Sequence, residues 1–288
     1  MDYSIYEISN INYGGSERKI GIKIENEYYM IKFQKKTAFG KRNNHISEYL
    51  GSQIFNMLGV NAQETILGTF KDENVVVCKD FNIDGYQFVP FNDVGESTIE
   101  EDKEKYQYSY EDIMSLLLLN KKITNVEDVV SSFWEIYIID ALLDNFDRHG
   151  NNWGFLKKNN KYEMAPVFDN GSCLFPNMIN EDEMIYIMNS KEETAKRVYS
   201  FPTSQIKLNG KKSSYYDVIN SLVYKECNEA LIKIFKRINI KDIFNLIDDI
   251  KSISEVHKSF YKYMLNERYE KIIKESYNKL EKVMGNEK

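Results

Sequence analysis

Cysteine is scarce in this chain. Cys78, Cys173 and Cys227 form an odd set of three, and no two of them have metal-ligand spacing. That excludes a disulfide framework and a cysteine zinc site, and it suits a reducing compartment. The three histidines, His45, His149 and His257, are scattered and offer no zinc cluster. Positive charge is not in excess. Against 38 Lys and Arg stand 44 Asp and Glu, a net charge of −6, which leaves room for a local basic groove but not for a general nucleic-acid-binding surface. Long apolar runs are missing too. The most apolar stretch, Ile136–Leu143, contains Asp140 and is far shorter than the roughly 20 residues of a membrane span. Met1-Asp2-Tyr3-Ser4 lacks the basic and apolar regions of a signal peptide. The four prolines form no proline-rich linker, and the chain has no internal repeat or low-complexity segment.

What is present is enough for a sizeable core. Hydrophobic residues make up 42% of the 288 and aromatics 14%, fitting one two-lobed unit or two modest domains. The first third reads as strands with one helix. Ser4–Ile8 is a predicted strand, and Asn12-Tyr13-Gly14-Gly15-Ser16 a turn. Ile20, Ile22 and Ile24 alternate as in a half-buried strand, and Tyr28–Phe33 completes a hairpin. In His45–Leu58, Ile46, Leu50, Ile54 and Met57/Leu58 recur at helical spacing, and Gly59 is placed to end the helix. Thr65–Phe70 and Asn74–Cys78 are two further strands. Asp128–Asn145 is apolar on most faces, the mark of a buried helix. A polar loop follows, then short strands at Trp153–Leu156 and Tyr162–Ala165 and a turn at Asp169–Gly171. From about Tyr215 helices dominate, ending in a long amphipathic one over Tyr261–Val283.

The chemistry is concentrated in Asp147-Arg148-His149-Gly150-Asn151-Asn152, followed by Phe168-Asp169-Asn170. An Asp and an Asn five residues apart come after a buried helix, and a second Asp comes after a short hairpin. Phosphoryl transfer needs such a set: a carboxylate beside the attacking hydroxyl, and oxygen ligands for Mg²⁺ on the ATP phosphates. Taken alone, Asp-x-x-x-x-Asn is as often an ordinary polar turn; Arg148-His149 inside it and the strand leading to Phe168-Asp169 tip the balance.

Asn145-Phe146-Asp147-Arg148-His149-Gly150-Asn151-Asn152 resembles the N-x-D-R-H-x-x-N loop of HipA-like serine/threonine kinases, and Ala165-Pro166-Val167-Phe168-Asp169 resembles their metal-binding segment. The resemblance continues upstream through Ser47-Glu48-Tyr49-Leu50-Gly51 and Leu58-Gly59-Val60, covering roughly Tyr13 to Phe175. It implies an α+β, bilobal protein-kinase-like fold: a small antiparallel β-sheet lobe with one helix over residues 1–80, and a larger, mainly helical lobe over 81–288. The hairpin near residue 1 suggests a short form without the extra N-terminal subdomain, and Gln87–Asn120 departs from the longer forms. By the resemblance Asp147 is the catalytic base and Asn152 and Asp169 hold Mg²⁺. The implied reaction is ATP-dependent phosphorylation of Ser or Thr in a protein substrate, by a toxin or effector with an antitoxin or small regulatory partner. The expected setting is the bacterial cytoplasm, or secretion without a recognisable signal peptide; neither a membrane nor direct nucleic-acid binding is expected.

The nucleotide pocket can then be laid out. Gly14, Gly15 and Ser16 lie between two strands, where a kinase places its phosphate-covering loop, and small residues there admit phosphates closely. The resemblance makes Ser16 an autophosphorylation site. Met30 and Lys32 share a strand face, so Met30 can pack over adenine while Lys32 reaches the phosphates. Lys19 and Lys23 compete for that role; the Ile-Lys-Phe setting of Lys32 matches the family. Glu48, 16 residues after Lys32, is the expected ion-pair partner, the alternative being a solvated helix glutamate. Cys78, Lys79 and Phe81 are the expected hinge against adenine. Arg148 is read as a brace of the loop rather than a phosphate ligand, and Cys173 as a small buried residue rather than a nucleophile. The alternatives to a protein kinase are a lipid or small-molecule kinase and a non-catalytic nucleotide-binding module. Glu181, Asp182 and Glu183, with no Lys or Arg in Asn170–Tyr186, disfavour an anionic lipid surface.

Overall fold

The computed structural model describes residues 1–14, 17–38, 40–82, 85–94, 109–208 and 210–286. Gly15 and Ser16 lie outside the described residues. Strands β1 (Glu7–Ile8), β2 (Lys19–Ile24) and β3 (Glu27–Phe33) come first, then the small ribbon of β4 (Lys36–Thr37) and β5 (Gly40–Lys41), helix α1 (Asn44–Met57), β6 (Thr65–Phe70) and β7 (Glu73–Lys79). Five of these strands pair antiparallel in the order β1-β2-β3-β7-β6. The period of two along β3 sorts its side chains. Tyr29, Ile31 and Phe33 join Ile22, Phe70, Val75 and Val77 in a core on one face, while Met30 packs with Val76 and Cys78 on the other. Lys32 shares that second face and points toward α1. Helix α1 buries Ile46, Leu50, Ile54 and Phe55, and the turn after it passes through Gly59 at φ +73°. The Asn44 amide donates to Phe33 O, and its oxygen accepts from Lys35 N, which ties the helix start to the end of β3.

Next come β8 (Gln87–Pro90), a short α2 (Phe91–Val94), α3 (Tyr110–Leu119) and α4 (Val126–Leu143). Helix α4 is capped by Asn125, whose side chain accepts from Asp128 N, and it ends at Asp144 in the left-handed region, φ +61°. From Phe133 to Leu143 it is almost entirely buried, each large apolar side chain contributing roughly 1.5–3 kcal/mol. Strands β9 (Gly154–Lys158) and β10 (Lys161–Met164) form the hairpin after the polar loop, and β8 joins them in a three-stranded sheet. The ring of Phe91 stacks on Trp153 at 4.2 Å, closing β8 over the loop.

The remainder is mostly helical: α5 (Glu181–Asn189), α6 (Lys191–Ala195) running into a π-helical turn at Lys196–Ser200, then α7 (Tyr215–Ser221), α8 (Lys225–Arg237), α9 (Ile240–Asp248), α10 (Glu255–Arg268), a second π-helical turn at Tyr269–Lys274, and α11 (Glu275–Asn286). Between the first π turn and α7 lies a hairpin, β11 (Thr203–Leu208) and β12 (Lys211–Ser214). Three expectations need correcting. The first strand is shorter than predicted, since Ser4 folds back in a turn, its hydroxyl donating to Asp2. The last helix begins at Glu255, where Ser254 caps it, and it is interrupted by the π turn. The β11–β12 hairpin was not anticipated. Among the described residues no helix is long and apolar enough to cross a membrane.

Candidate active site

A cleft of about 760 Å³ separates the five-stranded sheet from the helical part, and Lys32, Asp147, Asn152 and Asp169 all line it. Lys32 Nζ stands 3.0 Å from Glu48 Oε2 and 3.0 Å from Asp169 Oδ1. Burial works against charge on Lys32, but the Asp169 and Glu48 carboxylates outweigh it and hold its pKa well above the ordinary lysine value. Burial also raises the pKa of Glu48, against the pull of Lys32, while the Lys32 ammonium draws that of Asp169 below its usual range. The solvated-glutamate alternative for Glu48 does not describe this chain: its side chain is 2% exposed. Asp169 remains open to the cleft, with 36% of its side chain exposed. Its backbone sits at φ +57°, a conformation costing roughly 1–2 kcal/mol in an L-residue.

Asp147 lies 4.0 Å from the His149 ring, and burial pushes its pKa upward. Its loop is held rigid by Arg148, which is 4% exposed. The guanidinium donates to both oxygens of Asp140, at 2.9 and 3.0 Å, to Asn152 O at 3.1 Å, and to Phe168 O and Asn170 Oδ1 at 2.6 Å each. One side chain thus ties the end of α4, the Asp147–Asn152 loop and the Phe168-Asp169 segment together. Planar, bidentate geometry is what distinguishes arginine from lysine in this place. The Asn170 amide donates to Ser52 on α1, where Gly51 permits the close approach: a Cβ on Gly51 would lie 2.5 Å from Asn170 Cβ. The Asn152 amide donates to Asp147 O at 2.8 Å, which leaves its oxygen as the atom available to a ligand. A cleft-lining carboxylate and a fixed amide oxygen are hard donors of the kind Mg²⁺ takes, together with water and phosphate oxygens. The residues therefore fit the ion.

The expected nucleotide pocket is brought together only in part. Gly14 and Met30 line the cleft, as does Phe81. Lys19 lines it too, but its ammonium donates to Gly14 O at 2.8 Å. Cys78 is fully buried in the sheet core, and Lys79 turns outward to Glu27 at 2.6 Å, with its carbonyl accepting from Gln63; neither lines the cleft. The wall there is formed by Gln63, Asp80, Phe81 and Asn82, so that of the three expected hinge residues only Phe81 belongs to it. Tyr13 donates to Asp80 at 2.9 Å, linking the start of the glycine loop to that wall. Phe88 meets the rings of Phe81 and Phe168 edge-on, and those two meet at a tilt, with centroids 4.9–5.7 Å apart, joining the same wall to the Phe168-Asp169 segment.

Several braces were not foreseen. Asp140 was noted only as a charge interrupting an apolar run, yet a carboxylate inside a buried helix requires a partner, and that was the available signal. Tyr215 donates to Asn145 O at 2.6 Å, and Gln205 to Phe146 O at 2.9 Å. Arg268 is 1% exposed, donates to Ala141 O and pairs with Asp144 at 2.7 Å. These contacts come from far along the chain and leave no local pattern.

Comparison with known proteins bears on the family and the fold. A model of the HipA-like C-terminal domain matches residues 11–283. Serine/threonine-protein kinase CtkA of Helicobacter pylori strain J99 is 37% identical over 284 residues, covering 95% of this chain and 86% of that protein. The crystal structure of a Helicobacter pylori proinflammatory kinase CtkA matches with a TM-score of 0.89 at 35% identity, over 96% of this chain and 97% of that one. A chain of the Shewanella oneidensis MR-1 toxin–antitoxin complex of HipA, HipB and operator DNA matches with a TM-score of 0.61 at 16% identity, over 93% of this chain and 67% of that one, a likeness of fold. The fold is the expected α+β, bilobal protein-kinase-like one. This chain belongs to the HipA-like kinase family.

Proposed function

We propose that this chain is an ATP- and Mg²⁺-dependent kinase that phosphorylates Ser or Thr in a protein substrate. The observation that carries the reading is the placement of Lys32 between Glu48 and Asp169, with Asp147 and Asn152 lining the same cleft. The kinship with CtkA, named a serine/threonine-protein kinase, supports the choice of acceptor. Residues 1–80 would serve as the nucleotide-covering lobe and 81–288 as the lobe carrying the catalytic loop. Lys32 would hold the ATP phosphates, itself oriented by Glu48. Asp147 would receive the acceptor hydroxyl proton as that oxygen bonds to the γ-phosphorus, the bond to the bridging oxygen breaks and ADP leaves. Asn152 and Asp169 would hold Mg²⁺, which supplies neutralisation of phosphate charge when bound. By the family resemblance Ser16 would be phosphorylated in cis or in trans, and a toxin or effector role with an antitoxin-type partner follows from the same kinship.

The test is ligand-dependent stability. A ligand at 100 times its Kd stabilises the native state by about 2.7 kcal/mol. ATP with Mg²⁺ should raise the melting temperature of wild type, and Asp169→Ala should lose the Mg²⁺-dependent part together with phosphoryl transfer. No response of wild type to ATP with Mg²⁺ would overturn the reading. Phosphosite mapping then decides on Ser16: phosphate there in wild type but not in Asp147→Asn supports it, and its absence from an active enzyme removes it.

A further inference from the structure

The chain is acidic overall, yet residues 203–214 carry Lys207, Lys211 and Lys212 and no Asp or Glu. This is the β11–β12 hairpin. Alternation along β11 buries Ser204, Ile206 and Leu208, while Gln205 and Lys207 lie on the opposite face. In the antiparallel register Lys207 stands directly across from Lys212. Like charges in that position repel each other unless an anion lies between or beside them. Among the described residues neither lysine forms an ion pair, and Lys212 is instead held by the Gln205 amide oxygen.

The hairpin is fixed to the active site by one side chain. Gln205 Nε2 donates to Phe146 O at 2.9 Å, the residue before Asp147, and Gln205 Oε1 accepts from Lys212 Nζ at 2.9 Å. Lys212 is thereby held beside the catalytic loop, and its charge reaches the Asp147 carboxylate. Among the described residues neither ammonium meets a carboxylate; Lys212, held by Gln205 beside the residue that would meet the acceptor hydroxyl, and Lys207 across the strand pair from it form a receptor for a carboxylate or similar anion.

We propose that the β11–β12 hairpin is a substrate-docking ledge, and that Lys207 and Lys212 together receive an acidic side chain flanking the Ser or Thr to be phosphorylated. This rests on the kinase reading above. It adds the chemistry of the substrate: a peptide segment with Asp or Glu near the acceptor.

The experiment uses the full chain, ATP with Mg²⁺, and three degenerate peptide libraries with a central Ser or Thr flanked by Glu, Gln or Lys. Wild type should favour the Glu library over the Gln library by about tenfold in kcat/KM, since exposed ion pairs are individually weak and two act together. The preference should shrink as salt is raised. Lys207→Gln/Lys212→Gln should abolish it, and Lys207→Glu/Lys212→Glu should turn it toward the Lys library. The melting response to ATP with Mg²⁺ is read in parallel for each protein. A normal nucleotide response in wild type without an acidic preference, or without transfer to any library, overturns the docking inference alone. A double charge reversal that lowers kcat equally for all three libraries also overturns it, because the lysines would then act on ATP phosphates. No nucleotide response in wild type overturns both readings.

Discussion

Lys32 and Glu48 form an ion pair at 3.0 Å with 3% and 2% of their side chains exposed, and Asp169 stands at the same distance on the open side of the ammonium. Lys32→Met removes the cation between two carboxylates. Burial has already raised the Glu48 pKa, so the variant should take up a proton there rather than hold two charges. Single-turnover transfer should fall by about 10²–10³-fold, and the fold should lose roughly 3–5 kcal/mol by denaturant unfolding. A loss of transfer smaller than tenfold would remove Lys32 from the phosphates.

Asp147 is only partly exposed and belongs to a loop held through its backbone, with its N–H donating to Asn145 Oδ1 at 3.1 Å. Asp147→Asn keeps the shape and removes the proton acceptor. Transfer should drop on the order of 10²–10⁴-fold with nucleotide affinity little changed. Near wild-type turnover would assign the base elsewhere.

Arg148→Lys tests the brace. A lysine cannot span both Asp140 oxygens and also reach Asn152 O, Phe168 O and Asn170. Buried acceptors would go unpaired, each costing about 1–3 kcal/mol. The expected result is a stability loss of at least about 2 kcal/mol, with transfer falling more than ATP binding. A substitution neutral in both measurements would show that Asp140 needs no guanidinium.

Gly51 lies on α1, far in sequence from the metal segment, yet it faces Asn170 closely enough that a Cβ would meet Asn170 Cβ at 2.5 Å. Gly51→Ala should cost roughly 1–3 kcal/mol as the turn is displaced. Because Asn170 follows Asp169, the Mg²⁺-dependent part of ATP stabilisation should weaken as well. Ser52→Ala, which loses only the hydroxyl accepting from Asn170, is the milder companion.

His45 is 2% exposed, neither ring nitrogen has a partner among the described residues, and burial lowers its pKa to about 4. The unfolded chain binds a proton near pH 6.5, so between pH 6.5 and 4 the unfolded state carries more protons than the native one. Stability from this residue is therefore complete above about pH 6.5 and falls as the pH is lowered toward 4, by up to about 3 kcal/mol. His45→Leu should flatten that part of the acid limb. Equal slopes for variant and wild type between pH 7 and 5 would refute the assignment.

The parts of the fold readable in the sequence are those encoded by nearby residues. The alternation of Ile20, Ile22 and Ile24, the spacing of Ile46, Leu50 and Ile54, and the all-round apolarity of α4 each need fewer than twenty residues, and each appears as expected. The first strand failed because Asp2 captures the Ser4 hydroxyl and amide, a competition that hydrophobic spacing does not register. The β11–β12 hairpin carries a plain alternation at Ser204, Ile206 and Leu208, but its buried positions include a serine and its surface ones lysines, so the apolar signal was short.

Within the site, Asp147, Asn152 and Asp169 are legible from the loop pattern and Lys32 and Glu48 from the strand and helix that resemble the family, and the structure gathers them in and around one cleft. Of the expected hinge residues, Phe81 lines the cleft but Cys78 and Lys79 do not. Both belong to β7, whose central pairing leaves Cys78 in the sheet core and sends Lys79 to Glu27, so the chain reaches the cleft only after the strand ends, at Asp80. Asp140, Tyr215, Gln205 and Arg268 could not be ranked from sequence, because each matters through a partner to which no periodicity points.

Arg268 donates to Ala141 O across 127 residues, and Tyr215 to Asn145 O across 70. The phosphate-transfer loop is therefore not finished where it is encoded. A ribosome that has made the glycine loop, the lysine strand and the whole Asp147–Asp169 segment has still not made the donors that the Ala141 and Asn145 carbonyls take. A nascent or prematurely terminated copy that stops short of Arg268 leaves the Ala141 carbonyl without this donor, and the expected outcome for such a copy is loss of phosphoryl transfer.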